Sequence, residues 1–348
     1  MSMGIREHVG RWAAALCLVA AAQGAVAGPY SNLYVFGDSL SDTGNDLLVT
    51  GGAVPSPAYY TDGATVGRFT NGRNYVDFLA DGLGLSVSPS QLGGTNYAYG
   101  GARVNGQAAG LPPTALSFNQ QVASYMATHG TGTDPNALYV LWIGANDLSD
   151  AIAAAVQAAA MAVNPADVPG IINGVLGTAI GSVMSSLGNA LGGLASLGAS
   201  HFLVPNLPDL SLTPEVRAIG NPFVTGVAQA ASVGFNQVLS GFLGSFAVLD
   251  ISTIDVFSAQ TRMTLDPAAF GLVNVSDACF DGDLAGTGTP AVCANPDAFL
   301  YWDYEHPTSA LHAEIGRLAL LAVPEPAGWS LLLIGLGGIG LMGRRRRH

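Results

Sequence analysis

Short, wholly apolar runs alternate with longer stretches of helical period through most of this chain. Leu33, Tyr34, Val35 and Phe36 form the first run, and residues 137–143, 201–204 and 246–251 form three more, each ending near Gly, Pro, Asn or Asp. Runs of that length bounded by turn formers predict buried strands. Residues 151–199 are rich in Ala and Gly and predict two or more helices, broken around Asn164-Pro165 and Val168-Pro169-Gly170, and residues 309–321 predict another. Strand, helix, strand alternation argues for an α/β fold in which a parallel central sheet carries helices on both faces. Ligands on such a sheet bind outside the carboxyl ends of its strands.

Both ends depart from that pattern and read as processing signals. Residues 1–27 open with Arg6 and Arg11, continue through an apolar run from 12 to 22, and close on Ala25-Val26-Ala27, a small-x-small site for a signal peptidase. The run is too short for a permanent membrane anchor. Residues 323–348 carry Val323-Pro324-Glu325-Pro326, an uncharged stretch at 327–343, then Arg344 to Arg347. An uncharged stretch followed by arginines suits a short membrane span whose basic end stays cytoplasmic, so the body lies outside. This layout resembles the PEP-CTERM sorting tail of Gram-negative bacteria. The resemblance implies recognition and cutting by an exosortase-type enzyme, with transient anchoring in the inner membrane before delivery to the cell surface or beyond. The expected organisation is a signal peptide at 1–27, one hydrolase domain at 28–322 and a sorting tail at 323–348. Gly335, Gly337 and Gly340 fit a dinucleotide-binding pattern by coincidence, since no helix of useful length follows.

The chemistry concentrates at predicted strand ends. Directly after the first strand stands Gly37-Asp38-Ser39-Leu40-Ser41-Asp42-Thr43-Gly44-Asn45, which presents Ser39 on a tight turn. A serine hydroxyl is a weak nucleophile until a base takes its proton. Asp303-Tyr304-Glu305-His306-Pro307 supplies one: an Asp three residues before a His can turn back to accept from its Nδ1, leaving Nε2 to face a serine. Donors for a developing oxyanion are expected from the Asn146 side chain in Gly144-Ala145-Asn146-Asp147, and from a backbone N–H at Gly100 or Gly101. No Gly-x-Ser-x-Gly occurs, which argues against the nucleophile elbow of α/β-hydrolases.

Composition removes other chemistries. All 12 basic residues are arginine, so neither a Walker A loop nor a pyridoxal Schiff base has its lysine. Net charge is −12, and half of the arginines lie in the two terminal segments, so the body is strongly acidic and nucleic acid is an unfavourable partner. No metal-binding motif occurs, and no cofactor is expected. Cys17 lies in the export signal, which leaves Cys279 and Cys293 to pair in an oxidising compartment. Among the remaining candidates, Arg68 and Arg73 suit salt bridges to Asp62 or Asp77, or contact with a substrate carboxylate or phosphate, and Tyr59, Tyr60 and Phe69 suit an acyl groove or plain packing. His312 reads as a surface or supporting histidine; His129 and His201 read as structural.

Together the four blocks resemble the SGNH hydrolases, or GDSL esterase/lipase family, over about residues 31–319. The resemblance implies a flavodoxin-like three-layer α/β/α sandwich and acyl hydrolysis through a serine triad. Carried over, Ser39 is nucleophile and first oxyanion donor, Gly101 the second, Asn146 the third, His306 the base and Asp303 its orienter; Gly100 competes with Gly101. The expected function is an exported serine ester hydrolase acting on a lipid, acylated small molecule or glycan. A deacetylase of extracellular polysaccharide, or a non-catalytic surface or matrix binding protein on the same fold, stands as the alternative.

Overall fold

A computed structural model describes residues 30–107, 110–130 and 132–323. The expected export signal and, beyond Val323, the expected sorting tail lie outside the described residues. Four five-residue strands, β1 (Leu33–Gly37), β2 (Leu138–Trp142), β3 (His201–Pro205) and β4 (Asp250–Ile254), pair in parallel in the order β1-β2-β3-β4. β1 and β2 are buried along their whole length, which is why their sequences are apolar without alternation. A fifth position beside β1 is filled by irregular backbone: Val35 N–H donates to Thr95 O (3.1 Å), Tyr97 N–H to Val35 O (2.7 Å) and Tyr99 N–H to Gly37 O (3.3 Å). Counted as a strand, this segment gives the flavodoxin-like sequence order 2-1-3-4-5, with its switch point between β1 and β2.

The helices are α1 (Asn45–Val49), α2 (Tyr75–Leu83), α3 (Phe118–His129), α4 (Ala145–Ala160), α5 (Val168–Ser196), α6 (Pro214–Ala218), α7 (Pro222–Leu243), α8 (Val256–Leu265) and α9 (Ser309–Ala322). α2, α8 and α9 pack into one layer, while α3, α4, α5 and α7 pack into the other. A small parallel pair, β5 (Asn274–Ala278) with β6 (Phe299–Tyr301), lies apart from the main sheet and carries the 279–293 loop between its strands.

Two expectations shift. The last strand of the sheet is 250–254 rather than 246–251, because Phe246 is taken by the end of α7, where its ring meets Phe242 at 5.1 Å. In the Ala/Gly-rich region the helix breaks at 161–167, and Val168-Pro169-Gly170 begins α5 instead of interrupting a helix, since proline is tolerated in a first turn. The segment Pro165–Ser196 is long and apolar enough to cross a membrane, but Leu187, Leu191 and Leu194 of this segment are buried in the domain core.

Candidate active site

The nucleophile turn leaves the carboxyl end of β1. A Cβ on Gly37 would stand 2.4 Å from the Trp142 carbonyl oxygen, so glycine is what lets the ends of β1 and β2 approach. Gln121 of α3 fixes that end from below: its Oε1 accepts from Gly37 N–H at 2.9 Å and its Nε2 donates to Gly37 O at 2.8 Å. Asp38 Oδ1 accepts from Leu40 N–H at 3.1 Å, as an aspartate closing its own turn does. The second half of the motif works as a staple. Asp42 accepts from the N–H groups of Gly44, Asn45, Asp46 and Gly100, and Asn45 Nδ2 donates to the carbonyls of Asn96 and Ala98. The serine turn and the 95–101 segment are thereby held as one unit.

Beyond β6 the chain folds a tight turn around Asp303, whose Oδ1 accepts from the N–H groups of Glu305 (2.8 Å) and His306 (2.6 Å). Thr70 Oγ1 donates to Pro307 O at 2.8 Å and ties this turn to the body. Across 267 positions the fold brings Ser39 Oγ to 2.8 Å from His306 Nε2, while His306 Nδ1 lies 2.8 Å from Asp303 Oδ2 and 3.0 Å from Oδ1. All three side chains are buried. Burial opposes a charged imidazole, but the Asp303 carboxylate and its hydrogen bond, with Glu305 and Asp38 adding, push His306 up to about 9. Burial also opposes the Asp303 anion, and the adjacent imidazole with the two N–H donors holds its pKa below the ordinary value nonetheless.

The oxyanion candidates are placed less symmetrically. Asn146, at the start of α4, lines the same cavity as Ser39 and His306, and its Nδ2 donates to Ala102 O at 3.1 Å, which joins it to the glycine loop. Gly100 N–H is engaged by Asp42 at 3.3 Å, and a Cβ on Gly100 would collide with Phe69 at 2.2 Å. Gly101 takes a positive φ of 64° and lies outside the cavity lining.

Sequence reasoning missed a direct partner of the acid. Tyr60, fully buried, donates its hydroxyl to Asp303 Oδ2 at 2.8 Å. It is packed by Phe280 (5.5 Å) and Trp302 (6.1 Å), beside the disulfide of Cys279 with Cys293. Phe69 lies 5.3 Å from the His306 ring. Thus Tyr59, Tyr60 and Phe69 do not line the large cavity, correcting the acyl-groove expectation for them. Nothing local in the sequence marks Tyr60, because the contact spans 243 positions. Elsewhere Arg68 pairs with Asp77 and Arg73 with Asp81. His312 is not a surface residue: it is buried, Tyr75 N–H donates to its Nδ1 at 3.3 Å, and burial lowers it to about 3. His129 ends α3, stacked on Tyr125 at 4.1 Å. Among the described residues no His, Cys, Asp and Glu group is arranged to hold a metal ion.

The GDSL-like Lipase/Acylhydrolase family matches residues 33–319, and the PEP-CTERM protein-sorting motif matches residues 322–347. Lipase 1 of Photorhabdus luminescens is 37% identical over 54% of this chain, a match spanning 24% of that lipase's own length. A phosphatidylcholine-sterol acyltransferase of Aeromonas hydrophila is 26% identical over 83% of this chain and 89% of that one. An acetyl xylan esterase from Geobacillus stearothermophilus superposes with a TM-score of 0.41 at 14% identity, over 85% of this chain and 95% of that one. With the family match running from the first strand into the last helix, the chain belongs to the GDSL-like lipase/acylhydrolase family of ester-hydrolysing enzymes.

Proposed function

We propose that this protein is an exported serine ester hydrolase in which Ser39 is the nucleophile, His306 the general base and Asp303 its orienter. The observation that carries the reading is the unbroken hydrogen-bonded line from Ser39 Oγ through both ring nitrogens of His306 to Asp303. With neutral His306 carrying its proton on Nδ1, toward Asp303, Nε2 takes the Ser39 proton as Oγ bonds to the ester carbonyl carbon. The negative charge that forms on the carbonyl oxygen is met by the Ser39 and Gly101 N–H groups and by Asn146 Nδ2. His306 then returns the proton to the leaving alcohol, and the acyl–Ser39 ester is cleaved by water through the same steps in reverse.

A signal peptidase cut after Ala27 and exosortase-type processing of residues 323–348 deliver the hydrolase domain outside the inner membrane; the sorting motif at 322–347 supports this route. The test is direct. The protein hydrolyses a short-chain nitrophenyl ester with a burst, and a fluorophosphonate probe labels Ser39; Ser39→Ala abolishes both. Wild-type turnover in Ser39→Ala removes the assignment, whereas an unlabelled, inert wild-type protein returns the field to a binding protein on this fold.

A further inference from the structure

Ser39 and His306 open into one elongated cavity of about 460 Å³. One wall is a stripe down the whole of α4: Asn146, Ser149, Ala153, Val156, Gln157 and Ala160, spaced by three and four residues as one helix face requires. At 1.5 Å per residue, that stripe runs about 21 Å from the oxyanion end to the far end. The facing wall is Val216 of α6, Ile219 directly after that helix, and Val224 of α7. Ala153, Val156 and Ala160 on one side and Val216, Ile219 and Val224 on the other make the long dimension mostly apolar, and Ile219 and Phe223, 55% and 46% exposed, leave apolar surface beside this wall.

Acidic side chains outnumber basic ones on the lining. Asp38, Glu215 and Glu305 line the cavity, and no arginine does. The nearest cation to the glycine loop, Arg103, has its guanidinium engaged by Asp150 through two bonds of 2.7 and 2.8 Å and by Gly101 O at 2.8 Å. An anionic group entering here meets the Glu215 and Glu305 side chains along the lining, and the one histidine there, His306, is engaged by Asp303.

We infer that this cavity is an acyl-chain channel along α4, and that the substrate class is esters of long unbranched acyl chains with an uncharged alcohol. The inference rests on Ser39 as nucleophile. A cavity of 460 Å³ has room for more than about ten water-sized groups, so an acetyl group leaves most of it filled with water against apolar walls. An acyl chain displaces that water, and each buried methylene raises kcat/KM by up to about fourfold.

The test is a series of nitrophenyl esters from acetyl to palmitoyl with the full chain, its Ala153→Phe variant and Ser39→Ala. The expected wild-type kcat/KM climbs with each added methylene to at least the octanoyl ester. Ala153→Phe, which puts a ring across the middle of the α4 stripe, lowers the octanoyl-to-acetyl ratio at least tenfold. A series that is highest at acetyl, or an unchanged ratio in Ala153→Phe, overturns the channel while leaving the nucleophile intact. Loss of every ester in wild type, with no probe labelling of Ser39, is instead the failure of the catalytic reading. For the alcohol, a dioctanoylglycerol dispersion is expected to be hydrolysed at least tenfold faster than dioctanoyl phosphatidylglycerol; equal or reversed rates overturn the uncharged-alcohol part.

Discussion

At the scale of single residues, the direction of the His306 shift sets the pH response. A base must be neutral to take the Ser39 proton, and the Asp303 carboxylate holds the imidazole charged up to about 9 against the opposing effect of burial. Activity is therefore expected to climb from pH 7 to about 9, with kcat/KM against pH as the measurement. Asp303→Asn removes the attraction and leaves burial dominant, so the rising limb moves down in pH while the rate falls by up to about 10⁴-fold. A limb that stays in place in Asp303→Asn assigns it to another group. Tyr60→Phe acts more mildly. It deletes the donor to Asp303 Oδ2, so the carboxylate is left more basic, the His306 limb moves upward, and kcat falls about tenfold, the effect of one hydrogen bond to a charged group. Unchanged kcat and an unmoved limb in that variant reduce Tyr60 to a packing residue.

At the scale of elements, legibility in the sequence followed burial and locality. β1 and β2 were readable because strands covered on both faces carry uninterrupted apolar runs; β4 was misplaced because it is an edge strand with three polar residues, Asp250, Ser252 and Thr253, beside the more apolar end of α7. The Asp303 to His306 turn was readable because its partners are three positions apart. The pairing of Ser39 with His306 depends on β1 and β6 ending on the same side of the domain, and only the family resemblance anticipated it. Tyr60 escaped because its partner lies on another element and its own surroundings are ordinary loop sequence. The same region explains what the disulfide holds: Cys279 precedes Phe280, whose ring packs against Tyr60 and Trp302. Replacing both cysteines with serine is expected to lower Tm by about 5 °C, from about 3 kcal/mol of loop constraint in a domain of this size. It is also expected to lower kcat, because the Phe280 side of the Tyr60 pocket loosens. Thermal melts and ester turnover on one preparation separate the two effects, and loss of Tm with full kcat disconnects the loop from the site.

For the whole molecule, the same proton chemistry makes activity and stability run in opposite directions with pH. Burial, and then the charge of Asp42, pushes Asp46 up to about 9, and burial pushes Asp38 up to about 7. These acids and His306 share a sign: the folded state binds protons more tightly than the unfolded chain does. Their stabilising contribution is complete below the unfolded values and is lost as pH rises through the folded ones. His312 has the opposite sign, since its folded value of about 3 lies below the unfolded one, and its contribution is lost only as pH falls below about 6.5. Between pH 6.5 and 9 the first group dominates, so Tm is expected to fall across the window in which kcat/KM rises. Asp46→Asn isolates the largest acid shift without touching Ser39, His306 or Asp303. The amide has no proton to lose there, so the variant's Tm declines less from pH 6.5 to 9 than that of the wild type. Melts of both proteins at four pH values across that range decide it: parallel declines place the alkaline loss on His306 and Asp38, and a flattened curve places it on the carboxyl group packed behind Gly100.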